Sequence, residues 1–287
     1  MNRPSRPVRV LASALAAGTL LATAACSDGG ASDAVSASPM VEQSPGQSPD
    51  RSPIKSPDRT PTKSPSPSAT RTLTGAGAKA ALITEADIED NWTKANNAAS
   101  WRNQMLVGKV DVADFLDAKT NAADCQKLLD SLYSDSLLGR ATGASALKGF
   151  TAGDARLLYQ VGDYGRASLD KSLAWIKSLP QKCDQFTATG SDGGKRTVQV
   201  VGASLPKTGD AQQALTVMVQ GTTDGNPTTL TVDVAALRVG ASGAVVTNGG
   251  LSGADHDSTA RAAQQGAQRL RDVLAGKTPS PDPSEFD

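Results

Sequence analysis

Three cysteines and a single histidine carry most of the chemistry this 287-residue sequence can offer. Cys26 closes the apolar run ending Thr23-Ala24-Ala25-Cys26, and polar Ser27-Asp28-Gly29-Gly30 follows at once. Small residues placed directly before a cysteine let that thiol become a thioether to diacylglycerol at a newly cut N-terminus. Arg3, Arg6 and Arg9 precede the run from Val10 to Ala25, as the basic region of a secretory leader precedes its apolar core. The run is shorter than the about 20 apolar residues that a membrane span needs. Residues 1–25 are therefore expected to be a lipoprotein signal peptide. Thr23 stands where an aliphatic residue is usual, and Ala22-Thr23-Ala24 also fits ordinary peptidase cleavage, so simple secretion is the alternative.

An odd cysteine count in an exported chain leaves one thiol to explain. If Cys26 carries the lipid, Cys125 and Cys183 remain to pair in an oxidising exterior. Two unpaired buried thiols are the alternative. Cys-x-x-Cys spacing and partner histidines are both missing, so no metal site and no cofactor is expected. On the chain-entropy model a bridge closing so long a loop is worth about 3–4 kcal/mol.

The histidine, His256, lies in Gly253-Ala254-Asp255-His256-Asp257. A carboxylate on one ring nitrogen would make it a general base. The same segment reads as the approach to a helix, where Asp caps the free N–H groups and complements the dipole. No Gly-x-Ser-x-Gly elbow accompanies it, and no catalytic residue is assigned. Gly190-Ser191-Asp192-Gly193-Gly194-Lys195 misses the phosphate-loop spacing and reads as a hairpin loop. Asp184, Asp192, Asp210 and Asp224 contain no calcium-loop run. Trp92 and Trp101 bracket a polar segment, Lys94 to Ser100, that suggests surface, and aromatics of this kind line carbohydrate or lipid clefts. They are the candidate ligand-binding residues.

The elements that would position these groups follow from composition and period. Residues 26–72 hold a Ser/Thr-Pro repeat every four residues, from Ser44 to Pro67. Proline fixes φ and removes a donor, so the segment is expected as a disordered, extended stalk. At about 3.1 Å per residue it would reach on the order of 100 Å. Residues 73–276 form one domain, and residues 277–287 a disordered tail. Apolar residues at helical spacing predict helices over 121–138, 164–179 and 257–274. Period-two alternation predicts strands around Arg156–Val161, Thr197–Val200, Leu215–Val219, Leu230–Val234 and Ala244–Thr247, with a turn at Asp224-Gly225-Asn226-Pro227. Strands grouped between helices predict an α+β fold: an antiparallel sheet of about four to six strands with helices packed on one face.

The formal net charge is zero and only 3% of residues are aromatic, which gives no basic field or stacking platform for nucleic acid. The order of features is more specific. The opening Ile83-Thr84-Glu85-Ala86-Asp87-Ile88, the helix bearing Asp124-Cys125-Gln126-Lys127-Leu128, a strand near Tyr159, a helix ending at Cys183, a sheet and an Ala-rich last helix run from Leu73 to Ala275. This order resembles the PknH-like extracellular sensor domain of actinobacterial receptor kinases and related envelope lipoproteins. The resemblance implies a cleft for an extracellular ligand and usually two disulfides. The cysteines here suffice for one, and only Cys125 and Cys183 carry over. No kinase signature occurs, so signalling would need an envelope partner.

The sequence is thus expected to be a non-catalytic, ligand-binding or sensor-like module on the outer face of a cell membrane. A diacylglycerol on Cys26 would anchor it, and a small molecule, lipid or wall fragment would be its ligand. An envelope hydrolase acting on wall glycans or lipids, and a protein-binding scaffold lipoprotein, are the alternatives.

Overall fold

The computed structural model describes residues 71–280 apart from 89 and 90. The leader, Cys26, most of the stalk and the end of the tail lie outside the described residues. In chain order the elements are α1 (Gly75–Ala80), β1 (Thr93–Ala95), β2 (Leu106–Val107), β3 (Val110–Asp111), α2 (Val112–Leu116), β4 (Ala118–Lys119) and α3 (Ala123–Ser131). Then come β5 (Ser145–Ala152), β6 (Ala155–Asp163), α4 (Arg166–Lys182), β7 (Gln185–Gly190), β8 (Lys195–Ala203), β9 (Ala211–Thr223), β10 (Asn226–Val239), β11 (Ser242–Gly250) and α5 (His256–Leu274).

The fold is α+β, but the sheet has nine antiparallel strands rather than four to six, in the order β1-β5-β6-β11-β10-β9-β8-β7-β4. A separate two-stranded ribbon pairs β2 with β3. Helices cover both faces, not one. Along β10, Val232, Val234 and Ala236 enter a core built with α2, α3 and α4, whereas Ala235, Leu237 and Val239 enter a second core built with α1 and α5. Successive strand side chains point to opposite faces, so a strand covered on both sides loses the apolar–polar alternation and becomes continuously apolar. The strands that the sequence reading missed fail the pattern for the reverse reason. β5 (SALKGFTA) and β7 (QFTATG) lie in the outer parts of the sheet; the apolar residues of β5 do not keep to period two, and β7 carries only Phe186 and Ala188.

Local signals account for the joints. Asp224 (φ 51) and Gly225 (φ 75) take the paired left-handed conformation of a tight hairpin turn between β9 and β10. Asp255 caps α5, accepting from the N–H groups of Asp257 and Ser258. The helix expected to reach residue 138 stops at Ser131. Leu132 is extended, and Tyr133, at φ 52, swings its ring into the first core. Its hydroxyl reaches the carbonyls of Gly249 at 3.0 Å and Arg156 at 3.2 Å, bonds that a continuing helix could not place.

Cys125 and Cys183 form a disulfide with Cα atoms 5.6 Å apart, tying α3 to the end of α4. Beside it, Lys182 Nζ lies 2.7 Å from Asp124 Oδ2, and the Trp175 indole donates to Asp124 Oδ1 at 3.0 Å. The hydrogen bond from Lys182 is the largest influence holding the Asp124 carboxyl below the ordinary carboxylate range. On the other face, Gly266 lets α5 rest directly on the buried Tyr159 ring of β6. A buried ion pair, Arg269 to Asp87 at 3.1 Å, joins α5 to the turn at Glu85–Asp87. Asp87 also accepts from the Thr84 N–H (2.7 Å) and hydroxyl (2.8 Å).

Two outcomes are expected. Reducing the disulfide, whose cysteines lie 58 residues apart, should lower unfolding stability by about 2–5 kcal/mol, read from urea titrations with and without a thiol reductant. Gly266→Ala should destabilise by about 1–3 kcal/mol in the same assay despite alanine's better helix propensity, because its methyl falls on the Tyr159 hydroxyl. A stability gain would show that α5 is free to lift from the sheet.

Candidate functional site

Two concavities adjoin one another along β5, with Ser145 lining both. The first, of about 480 Å³, opens where the segment between α3 and β5 overhangs β6. Asp135, Ser136 and Arg140 from that segment form its rim, and Gln160 of β6 lies beneath. Gln160 is only 4% exposed. Its Nε2 donates to the Asp135 carbonyl at 3.0 Å, which fixes the orientation of the amide. Its Oε1 is then left as a buried acceptor with no partner among the described residues. Few buried polar atoms in native proteins lack a partner, so this oxygen is an exception within the fold.

The second concavity, of about 600 Å³, sits at the edge of the sheet, where β1 pairs with β5 only at Gly149, Phe150 and Thr151. Lys79, Lys94 and Lys148 line it with Asn96, Ala98 and Leu147. Lys148 donates to the Ile83 carbonyl at 2.9 Å, and burial lowers its pKa from the ordinary lysine value. Lysines at an open sheet edge discourage unwanted strand pairing, which is reason enough for this cluster.

Trp92 and Trp101 are 4% and 2% exposed and are not surface groups. Trp92 packs in the second core and donates to Ser258 Oγ at 3.3 Å. Trp101 packs edge-on to Tyr133, with ring centroids 6.3 Å apart, and donates to Asn97 at 3.3 Å. Neither lines the two concavities, although the segment between them, from Lys94 to Ala99, forms one wall of the second.

His256 is the first residue of α5, immediately after the Asp255 cap. Its Nδ1 lies 3.0 Å from Asp233 Oδ2 and its Nε2 lies 3.0 Å from the Ser204 carbonyl. Thr216 gives its hydroxyl to the other Asp233 oxygen at 2.6 Å. Both ring nitrogens therefore face acceptors, an arrangement that suits an imidazolium donating twice. The pKa is raised above the ordinary histidine value, first by the Asp233 hydrogen bond. A general base needs one ring nitrogen open towards substrate, and here neither is.

The glycine-rich Gly190–Lys195 stretch is the hairpin loop joining β7 to β8. Asp192 takes the Gly194 N–H at 2.8 Å and Arg196 at 3.2 Å, which hold its carboxyl below the ordinary range. A phosphate would meet that carboxylate. No cluster of three metal-ligating side chains occurs among the described residues. Sequence reasoning missed Gln160 and Asp233, yet each had a signal. Both are polar residues inside apolar strands, Leu157-Leu158-Tyr159-Gln160-Val161 and Val232-Asp233-Val234-Ala235.

No family model matches this sequence, and no curated protein does. Among solved structures, the chain is similar to the extracellular domain of PknH from Mycobacterium tuberculosis, at 12% identity and a TM-score of 0.41. The match covers 73% of this chain and 100% of that one. It is a distant likeness of fold, and no ligand or role passes from it to this chain.

The His256–Asp233 pair predicts a pH dependence. Because its folded pKa is raised, the pair stabilises fully below the unfolded histidine value, about 6.5, and the contribution fades as pH rises through the folded value. The thermal midpoint of the native chain should fall across that window. His256→Gln should flatten this part of the profile. An unchanged slope in the variant would assign the dependence to other groups.

Proposed function

We propose that this chain is a lipid-anchored, extracytoplasmic binding module of the bacterial envelope, sensor-like and non-catalytic. The observation that carries the reading is the Cys125–Cys183 bridge. Disulfides persist in oxidising compartments, and this one uses two of the three cysteines, leaving Cys26 as the odd thiol at the end of a secretory leader. The Ser/Thr-Pro segment behind it suits a spacer between membrane and domain.

Binding rather than catalysis is supported by the use of the only histidine as a structural link. Binding rather than scaffolding is supported by the surface. The large apolar side chains exposed among the described residues are Leu106 and Val201, whereas two concavities meet at Ser145. Any signalling would pass through a separate envelope protein.

Labelled palmitate fed to the native host should enter the wild-type chain and not Cys26→Ser, which should appear in the medium. An unlabelled wild-type chain found only in the medium would replace lipidation by plain secretion. Native mass spectrometry of the exported, oxidised chain tests binding: a retained mass that leaves on denaturation is the expected result. Hydrolysis of wall glycan or lipid that His256→Gln abolishes would overturn the non-catalytic reading.

A further inference from the structure

Past the end of β1 the outer edge of β5 is bare. β1 pairs with β5 at Gly149, Phe150 and Thr151, and nothing among the described residues pairs with Ser145 to Lys148 on that side. The register fixes which groups are left over. The backbone N–H of Asp163 in β6 donates to the Ala144 carbonyl at 2.9 Å, so by antiparallel alternation Ala146, Lys148 and Phe150 bond towards β6. Lys94 agrees, because its N–H turns away from β5 to Glu85 Oε1 at 3.2 Å. The N–H and C=O groups of Ser145 and Leu147 therefore point outward, in line with those that Gly149 and Thr151 give to β1.

This bare edge lines the second concavity, of about 600 Å³, whose two walls differ in chemistry. Lys148 and Lys94 lie on the face of Phe150, which belongs to the second core, and Lys79 comes from α1, which covers that core. None of the three lysines forms an ion pair among the described residues. The nearby acids are engaged elsewhere, Asp87 with Arg269 and Glu85 with the Lys94 N–H. On the opposite face, Ala95, Ala98 and Leu147 belong to the first core or pack against it. Keeping stray strands away explains charge at this edge. It explains neither the room beside the edge nor the sorting of cationic groups to one wall and apolar groups to the other.

We propose that this edge binds an extended peptide segment of a partner protein in which acidic and apolar residues alternate. Successive side chains of a strand point to opposite faces, so a segment added beside Ser145 and Leu147 sends every second residue to the lysines and the others to the apolar wall. Its main-chain groups satisfy those that β5 leaves open. A neutral strand would leave the lysines unpaired and a basic one would be repelled, so the charge that guards the edge also selects its partner. The inference rests on the binding-module reading and makes that module's ligand a peptide.

A short blocked peptide alternating Glu and Val is the probe. In NMR titrations of the exported, oxidised chain it should shift the backbone amides of Ser145 and Leu147 saturably and slow their hydrogen exchange. Replacing its Glu by Lys should abolish the response. N-methylation of the peptide bonds that face β5 keeps the charges and removes the donors. It should weaken binding by about tenfold or more, the scale of the hydrogen bonds lost. Lys79→Gln and Lys94→Gln should each weaken it about two- to fivefold, the range of an exposed ion pair, with the melting temperature unchanged.

Equal binding of the N-methylated peptide would reduce the effect to charge alone and overturn strand addition. So would saturable shifts confined to other strands, or no response at all. Protection of Ser145 and Leu147 that grows with protein concentration and needs no peptide would make a second copy the occupant. Protection that disappears when residues 281–287 are removed would make it the chain's own acidic tail, and either result overturns the proposal. A lipidated Cys26 beside an unresponsive edge would sink the peptide and keep the anchored module. Peptide binding by a chain without lipid would do the reverse.

Discussion

The pleat of the central strands governs this structure. β10 and β11 lie in the middle of the sheet with β6 beside β11, and each sends alternate side chains into two separate cores. The whole of β11 is buried, which is possible only because α4 covers one face and α5 the other. A sheet closed on both faces leaves its middle strands no solvent side, so small residues must admit the helices. Gly243, beneath Leu169 of α4, and Gly266, above Tyr159, meet that requirement from opposite sides.

Burial on both faces makes polar side chains within the strands costly unless they are bonded. The structure uses several of them as fasteners at the N-terminus of α5. Asn248 of β11 gives its amide to the Asp255 carbonyl and the Thr259 hydroxyl, and Asp233 of β10 holds His256. Tyr133 does the equivalent from the other face by reaching sheet carbonyls. Gln160 follows the same habit with one end of its amide, and its Oε1, like Oδ1 of Asn248, is buried without a partner among the described residues.

The residues that carried the family resemblance turn out to be structural ones. Thr84 and Asp87 cap a short turn, Ile83 and Ile88 fill the second core, and Cys125 and Cys183 join two helices. Positions of this kind report architecture rather than ligand. The groups around the Gln160 cavity belong to none of those motifs.

The sequence by itself determined what depends on neighbours along the chain. It yielded α4 and α5 from their apolar spacing, the β9–β10 turn from Asp224-Gly225, the cap at Asp255, and the cysteine pair from parity. Only the tertiary structure decided how many strands join the sheet, because the partners of β1, β4, β5 and β7 supply the hydrogen bonds their own residues do not advertise. It also decided which face each core takes, that Trp92 and Trp101 are buried, and that Asp233 meets His256 across 23 residues. Backbone propensity and period act over a few residues and can be read locally. Burial on two faces, and a cavity walled by segments remote in sequence, arise only when the chain closes on itself.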